Sequence, residues 1–409
     1  MKLATNSAHF WLSLTLGTGL TLTLVSDQGF GYAVALAFIG SLALLPSLSY
    51  HSLSKTDLQF IGLLSLYPVA VALHILFGDG GSLDDFDTPS RFILLIPVYL
   101  ALRGYLRNLD GIHIGVTAGV LITTCYTIFQ ALITTPESPR ISTFDNLVTF
   151  SQLAVILGAV SMSPWNNVNQ DSGKKSVVVF VLFLFTLATV IISQTRSAAL
   201  ALILTAPFLY LYRHQLNIRL ADLATFFIFA FLLIMAIVAF FDVSYIQRLA
   251  FEVSGIWRGD NLNTSSGIRF QLWDASITLI ADEPLFGYGV GQFQTAASAI
   301  LSSSTDNPRI LGYDHAHSEL LNAWVELGLA GPVTLLTLIF GCIHLSLKNN
   351  FDPACRHIVI CVATLWLFFG ITQTILAHQK ATLLILVLLI VPIAMSQNKI
   401  CGRIGKTGE

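Results

Sequence analysis

Run after run of about twenty apolar residues, separated by short polar punctuation, constrains this chain more than any other feature. A helix of that length crosses a bilayer, and a soluble domain has no use for so many in succession. Composition agrees: 54% of the 409 residues are hydrophobic and 11% are charged, against about 25% charged in soluble domains. A barrel needs short strands alternating apolar and polar residues, and the continuous runs here do not alternate. The sequence therefore predicts an all-α, polytopic integral membrane protein. Lys plus Arg is 21 and Asp plus Glu is 23, a formal charge of −2, so no basic field exists to attract nucleic acid. Five cysteines, Cys125, Cys342, Cys355, Cys361 and Cys401, show neither metal-type pairing nor a disulfide framework.

Twelve spans are expected, at roughly 9–26, 29–50, 57–78, 90–106, 111–133, 146–164, 175–193, 196–213, 220–242, 318–346, 354–376 and 381–397. The first is read as an uncleaved anchor. With the N-terminus cytoplasmic, thirteen Lys and Arg, from Lys2 to Lys406, fall on the cytoplasmic side. The short segments of the other face hold four: Arg91, Arg140, Arg196 and Lys380. This bias sets both termini inside. The chain then divides into spans one to nine over 1–242, one large external loop with amphipathic helices over 243–317, and spans ten to twelve with a cytoplasmic tail over 318–409. Inside the loop, Ile268, Leu272, Ala275 and Leu279 recur at the spacing of an amphipathic helix over Gly267 to Asp282. Glu283-Pro284 and the glycines of FGYGVGQF then end it in a sharp turn. Without a preceding strand, that glycine run is no nucleotide fingerprint, and no Walker-type loop occurs.

Several side chains have chemistry to offer. Arg196, in SQTRSAALAL, stands at the start of the eighth span. A permanent guanidinium beside a helix N-terminus suits a phosphate, although an interfacial arginine snorkelling to headgroups fits equally. Arg269 lies in the first turn of the loop helix with Trp273 one turn on, either a second fork for a diphosphate or a solvated arginine. His315 and His317, in Tyr313-Asp314-His315-Ala316-His317-Ser318, sit where the loop re-enters the membrane. There a histidine serves as a base near neutral pH or simply hydrogen-bonds to Asp314 or Ser318. No third ligand accompanies them, so a metal site is not expected. Glu326 is the acid well inside a span, and neighbouring Gly328 and Gly331 suggest a structural role in tight packing. Asp84, Asp85 and Asp87 form an external acidic patch, a solvated turn or a magnesium site. Lys380 is a candidate third anion contact.

Three segments in order, SQTRSAALAL, RFQLWDASITLIADEPLFGYGVGQF and HAHSELLNAWVELGLAGP, resemble the bacterial O-antigen ligase and polymerase superfamily. The resemblance covers roughly Ser193 to Pro332, about a third of the chain. It rests on the serine-flanked arginine, the arginine and tryptophan ahead of P-x-x-G-x-G, and an H-N/S-x-x-L start followed by E-x-G. It implies an inner-membrane glycosyltransferase of the GT-C type with a large periplasmic loop. Such an enzyme moves a glycan from undecaprenyl diphosphate to an acceptor hydroxyl without nucleotide sugar, cofactor or metal. By the same resemblance Arg196 and Arg269 bind the diphosphate, and His317 orients or deprotonates the acceptor. By position alone, Trp273 beside Arg269 and Lys380 at the external membrane mouth are further candidates for the substrate site. The size and single dominant loop look most like the ligase, which acts on lipid A-core oligosaccharide in lipopolysaccharide biosynthesis, with a polymerase extending the lipid-linked glycan as the alternative. A transporter would need paired midplane charges, which the sequence lacks, and a metal-dependent oligosaccharyltransferase would need Asp85 and Asp87.

Overall fold

In the computed structural model, the residues described are 2–48, 53–78, 81–133, 146–163, 172–202, 255, 262–304, 307–349 and 351–407. The expected span at 220–242, the part of the 196–213 span beyond residue 202, and most of the loop before residue 262 lie outside them. Among the described residues all regular structure is helical: α1 (Lys2–Leu22), α2 (Gly29–Leu44), α3 (Lys55–Phe77), α4 (Asp87–Tyr105), α5 (Asp110–Ile133), α6 (Leu147–Ser161), α7 (Ser172–Ser193), α8 (Ser265–Asp282), α9 (Phe293–Ser304), α10 (Glu319–Leu327), α11 (Ala330–Lys348), α12 (Pro353–Thr372) and α13 (Gln379–Thr407). Residues 196–202 begin a further helix.

Among the described residues six helical segments, Gly29–Ser47, Lys55–Phe77, Asp110–Ile133, Ala330–Lys348, Pro353–Thr372 and Gln379–Asn398, are long and apolar enough to cross a membrane. Leu147–Ser161 and Val177–Ser193 are shorter apolar helices. The chain is a multi-pass membrane protein. One expected span is corrected: residues 318–346 do not form a single helix. They divide into α10 and α11 at Gly328, whose φ of +58° and ψ of −150° leave helical space. Only glycine adopts that conformation without steric cost.

The bundle forms because each apolar helix places one face against its neighbours and leaves another for lipid. Along α3, Phe60, Leu64 and Val71 are buried while Leu58, Leu66, Leu73 and Phe77 point outward. Where α1 crosses α5 the backbones touch: a Cβ at Gly115 would stand 2.2 Å from the Gly17 carbonyl oxygen, and the Thr21 hydroxyl donates to the Gly115 carbonyl at 3.1 Å. Small residues permit this approach, which in lipid supplies the dispersion contact that water would otherwise drive. A second, smaller core joins α8, α9 and α10 through Leu272, Ala275, Leu279, Phe293 and Val325, the face expected from the loop-helix spacing.

Polar contacts distinguish the two ends of the bundle. At one, Lys380 Nζ donates to the Ser26 carbonyl at 3.4 Å and Gln379 Nε2 to Asp87 at 3.3 Å. At the other, Asp57 is fully buried. Its carboxylate accepts from Arg103 Nε at 2.8 Å, Tyr99 Oη at 2.6 Å and the Ser54 N–H at 2.6 Å. Ser54 also donates to Gln397 at 3.1 Å, so α3, α4 and α13 are fastened together. A buried carboxylate stripped of its cation is strongly destabilising. Arg103→Ala is expected to cost about 3 kcal/mol, seen as a lower thermal midpoint of monodisperse protein in detergent, whereas exposed Arg107→Ala leaves that midpoint nearly unchanged.

Candidate active site

The site is assembled where chain segments break from helical geometry at one end of the bundle. α7 ends at Ser193, and Gln194 takes a φ of +52° before the next helix starts at Arg196. His317 takes a φ of +50° one residue ahead of Ser318, the N-cap of α10. Left-handed backbone at a non-glycine residue is costly and persists only where the surroundings over-determine it. At His317 the surroundings are identifiable. The Ala316 N–H donates to Asn322 Oδ1 at 3.0 Å, and Asn322 N–H returns to the Ser318 carbonyl at 2.9 Å. One turn of α10 thus holds the His-Ala-His backbone.

The His317 ring is half-buried, with Nδ1 2.9 Å from the Gln373 amide oxygen. Gln373, only 1% exposed, sits just past the end of α12 and also donates through Nε2 to His378 Nε2 at 2.6 Å. The His315 ring centroid lies 4.4 Å from that of His317 in an edge-to-face arrangement, and the Tyr313 ring 5.1 Å away. His315 is engaged elsewhere, through Nδ1 and the Asp314 carboxylate at 2.5 Å. Burial first, then the charges of His315, Arg269 and His378, pushes His317 down to about 4, against an opposing pull from the Gln373 bond. Such a ring is neutral at physiological pH. The Arg269 guanidinium is therefore close enough to act on His317 electrostatically. Arg269 is half-buried, and its Nη1 donates to Ser265 at 3.3 Å. The Trp273 ring lies tilted against Phe270, centroids 5.6 Å apart, and its indole N–H is buried with no hydrogen-bond partner among the described residues.

The glycine-rich turn is structural, as its sequence suggests. Tyr288 N–H donates to the Val325 carbonyl at 2.8 Å and Gly289 N–H to the Glu326 carbonyl at 3.0 Å, so the turn closes over the end of α10. Gly287 and Gly328 both have positive φ, and a Cβ on Gly328 would lie 2.1 Å from the Leu285 carbonyl oxygen. Glu326 is buried there, accepting from the Asn322 side chain and the Gly291 N–H. It braces the residue that braces His317, which matches the structural role expected for it.

The acidic patch is occupied with local structure. Asp85 accepts from Ser82 N–H at 2.7 Å and Ser82 Oγ at 2.9 Å, and Asp87 pairs with Arg91. Among the described residues no group of three His, Cys, Asp or Glu could hold a metal ion. The sequence reading missed Gln373, Asn322 and the involvement of His378. Gln373 ends an apolar run, and nothing in its neighbourhood distinguishes it from an ordinary interfacial glutamine. Asn322 stands one turn after Ser318 in the quoted histidine segment, so a polar residue on the first turn of that helix was an available signal.

The fold and the site define a helical membrane protein with a neutral histidine and an arginine gathered at one end. Residues 181–336 match the O-antigen ligase family, Wzy_C. The three motifs all lie within that match, which supports the resemblance to the O-antigen ligase and polymerase superfamily. That family comprises membrane glycosyltransferase-like ligases and polymerases. Arg196, Arg269 and His317 all lie within the matched segment, and Gln373 and His378 lie beyond it. An uncharacterized protein of Haemophilus influenzae is 24% identical over 383 residues, covering 91% of this chain and 95% of the relative.

Gly328→Ala should disrupt the turn, because its Cβ meets backbone that has no room to give, with backbone strain adding about 1–3 kcal/mol. The expected observation is faster hydrogen exchange across residues 284–292, with exchange in α1 and α5 unchanged.

Proposed function

We propose that the chain is an O-antigen ligase of the bacterial inner membrane, transferring a glycan from undecaprenyl diphosphate to a sugar hydroxyl of lipid A-core oligosaccharide on the periplasmic side. A twelve-span GT-C organisation goes with this reading, as does the division into 1–242, the periplasmic loop 243–317 and 318–409. The observation that carries it is the neutral His317 ring beside the Arg269 charge, inside the family-matched segment. The acceptor oxygen attacks the anomeric carbon, the bond from that carbon to the phosphate oxygen breaks, and His317 takes the hydroxyl proton. Arg196 and Arg269 offset the charge growing on the departing diphosphate, a role that forked guanidinium groups fill well in a partly dry site. Trp273 offers an indole N–H to a substrate oxygen, and Lys380 adds positive charge at the same membrane face. The apolar helices hold the polyprenyl tail.

Deleting the gene should leave lipid A-core uncapped while full-length glycan accumulates on undecaprenyl diphosphate. Molecules capped with a single repeat would instead identify a polymerase. In complementation, His317→Ala, Arg196→Ala and Arg269→Ala should each lower capping by about 10² to 10⁴ at unchanged protein level. Lys380→Ala, whose ammonium already reaches the Ser26 carbonyl, should have a smaller effect. The pH dependence has a definite sign. A base works unprotonated, and with His317 pushed down to about 4 activity falls only as pH drops through that value. Transfer by purified protein should therefore persist at about pH 5, where an unperturbed histidine is mostly protonated. An acid limb near 6.5 would contradict this.

A further inference from the structure

We propose that Gln373 is a positioning residue that fixes the tautomer of His317, holding the proton on Nδ1 and leaving Nε2 as the lone-pair nitrogen; that Nε2 is the base rests on the function proposed above. The two ends of an amide are chemically unlike. Its oxygen only accepts and its nitrogen only donates. At 2.9 Å from Gln373 Oε1, the Nδ1 of His317 must carry a hydrogen, and in a neutral ring Nε2 then carries none. At 2.6 Å from Gln373 Nε2, the Nε2 of His378 must accept, so the proton of a neutral His378 is on Nδ1. The reversed amide would present N–H to His317, move that ring's proton to Nε2 and remove the base. Amide orientation and two imidazole tautomers therefore change together or not at all.

The surroundings hold this unit in place. Gln373 and Thr374 are buried, and the Ile375–Ala377 turn that follows is clamped from the histidine side. Glu319, two residues after His317 and 3% exposed, accepts the Leu376 N–H at 3.0 Å. The Gln373 N–H remains on the Phe369 carbonyl at 3.0 Å, so the side chain departs from a fixed backbone. His317 and Gln373 are 56 positions apart in sequence, and the contact exists only because α12 and the start of α10 meet at the same end of the bundle.

The test reads the tautomer and the reaction separately. Full-length protein carrying ¹⁵N-histidine is placed in lipid vesicles near neutral pH, and solid-state ¹⁵N spectra are recorded, with the His317 signals assigned by their loss in His317→Ala. The expected wild-type ring is neutral and protonated at Nδ1. Gln373→Leu should convert that signal to a tautomer mixture and lower the rate of glycan transfer about 10²-fold, with KM for the lipid-linked glycan little changed. Gln373→Glu keeps an acceptor at the same place. It should preserve the Nδ1–H form, restore transfer to within about tenfold of wild type, and move the acid limb of the pH profile upward because a carboxylate favours the imidazolium. A wild-type ring protonated at Nε2 overturns the assignment, as does a Gln373→Leu signal identical to wild type. Should the leucine variant fail to fold, the wild-type and glutamate spectra decide alone. Full transfer by His317→Ala alongside the expected tautomer would overturn the function proposed above and leave the tautomer assignment standing.

Discussion

A helix break releases backbone N–H and C=O groups, and wherever the break is buried each of them must find a partner in the protein. The rest of this structure follows from where the chain accepts that cost. The breaks at Gln194, at His317, at Gly328 and between α12 and α13 are each provided with partners. Asn322 takes the amide before His317, the end of α10 takes the amides of the glycine turn, and Glu319 takes the amide of Leu376. These substitutes for helical hydrogen bonds are what gather the histidines, Gln373 and Arg269 into one neighbourhood.

The electrostatic character of the site has the same origin. His317 is neutral because it is partly buried and because His315, Arg269 and His378 disfavour a further positive charge beside it. Its neighbour His315 differs by one contact, since Asp314 occupies its Nδ1. Two histidines two residues apart are thereby assigned different chemical situations by their partners, one paired with an acid and one with an amide. Glu319 and Glu326, both buried, serve backbone amides and brace the elements that carry the site.

The opposite end of the bundle is organised on a different principle. Asp57 with Arg103, Tyr99 and Ser54 forms a closed, satisfied polar knot, and satisfaction of every partner is what makes a buried charge tolerable. It fastens α3 to α4 and, through Gln397, to α13. The ends of the bundle thus differ, one fastening helices through Asp57 and the other bringing His315, His317, Gln373 and His378 together.

What the sequence determined by itself is what short-range periodicity encodes: an all-helical membrane chain, the apolar face of α8, the turn at FGYGVGQF, and the order of the arginine, glycine and histidine motifs. It erred in reading 318–346 as one helix, because apolar residues continue across Leu327 and Leu329 while the break is imposed by a glycine turn packing onto Gly328 from elsewhere in the chain. The tertiary structure alone decided which histidine meets Gln373, that Glu319 clamps the turn before His378, and that Asp57 pairs with Arg103. Each of those contacts spans dozens of residues. A glutamine at the end of an apolar run has no local feature that separates one held by two imidazoles from one facing water, since the difference is made only when distant helices close on the same space.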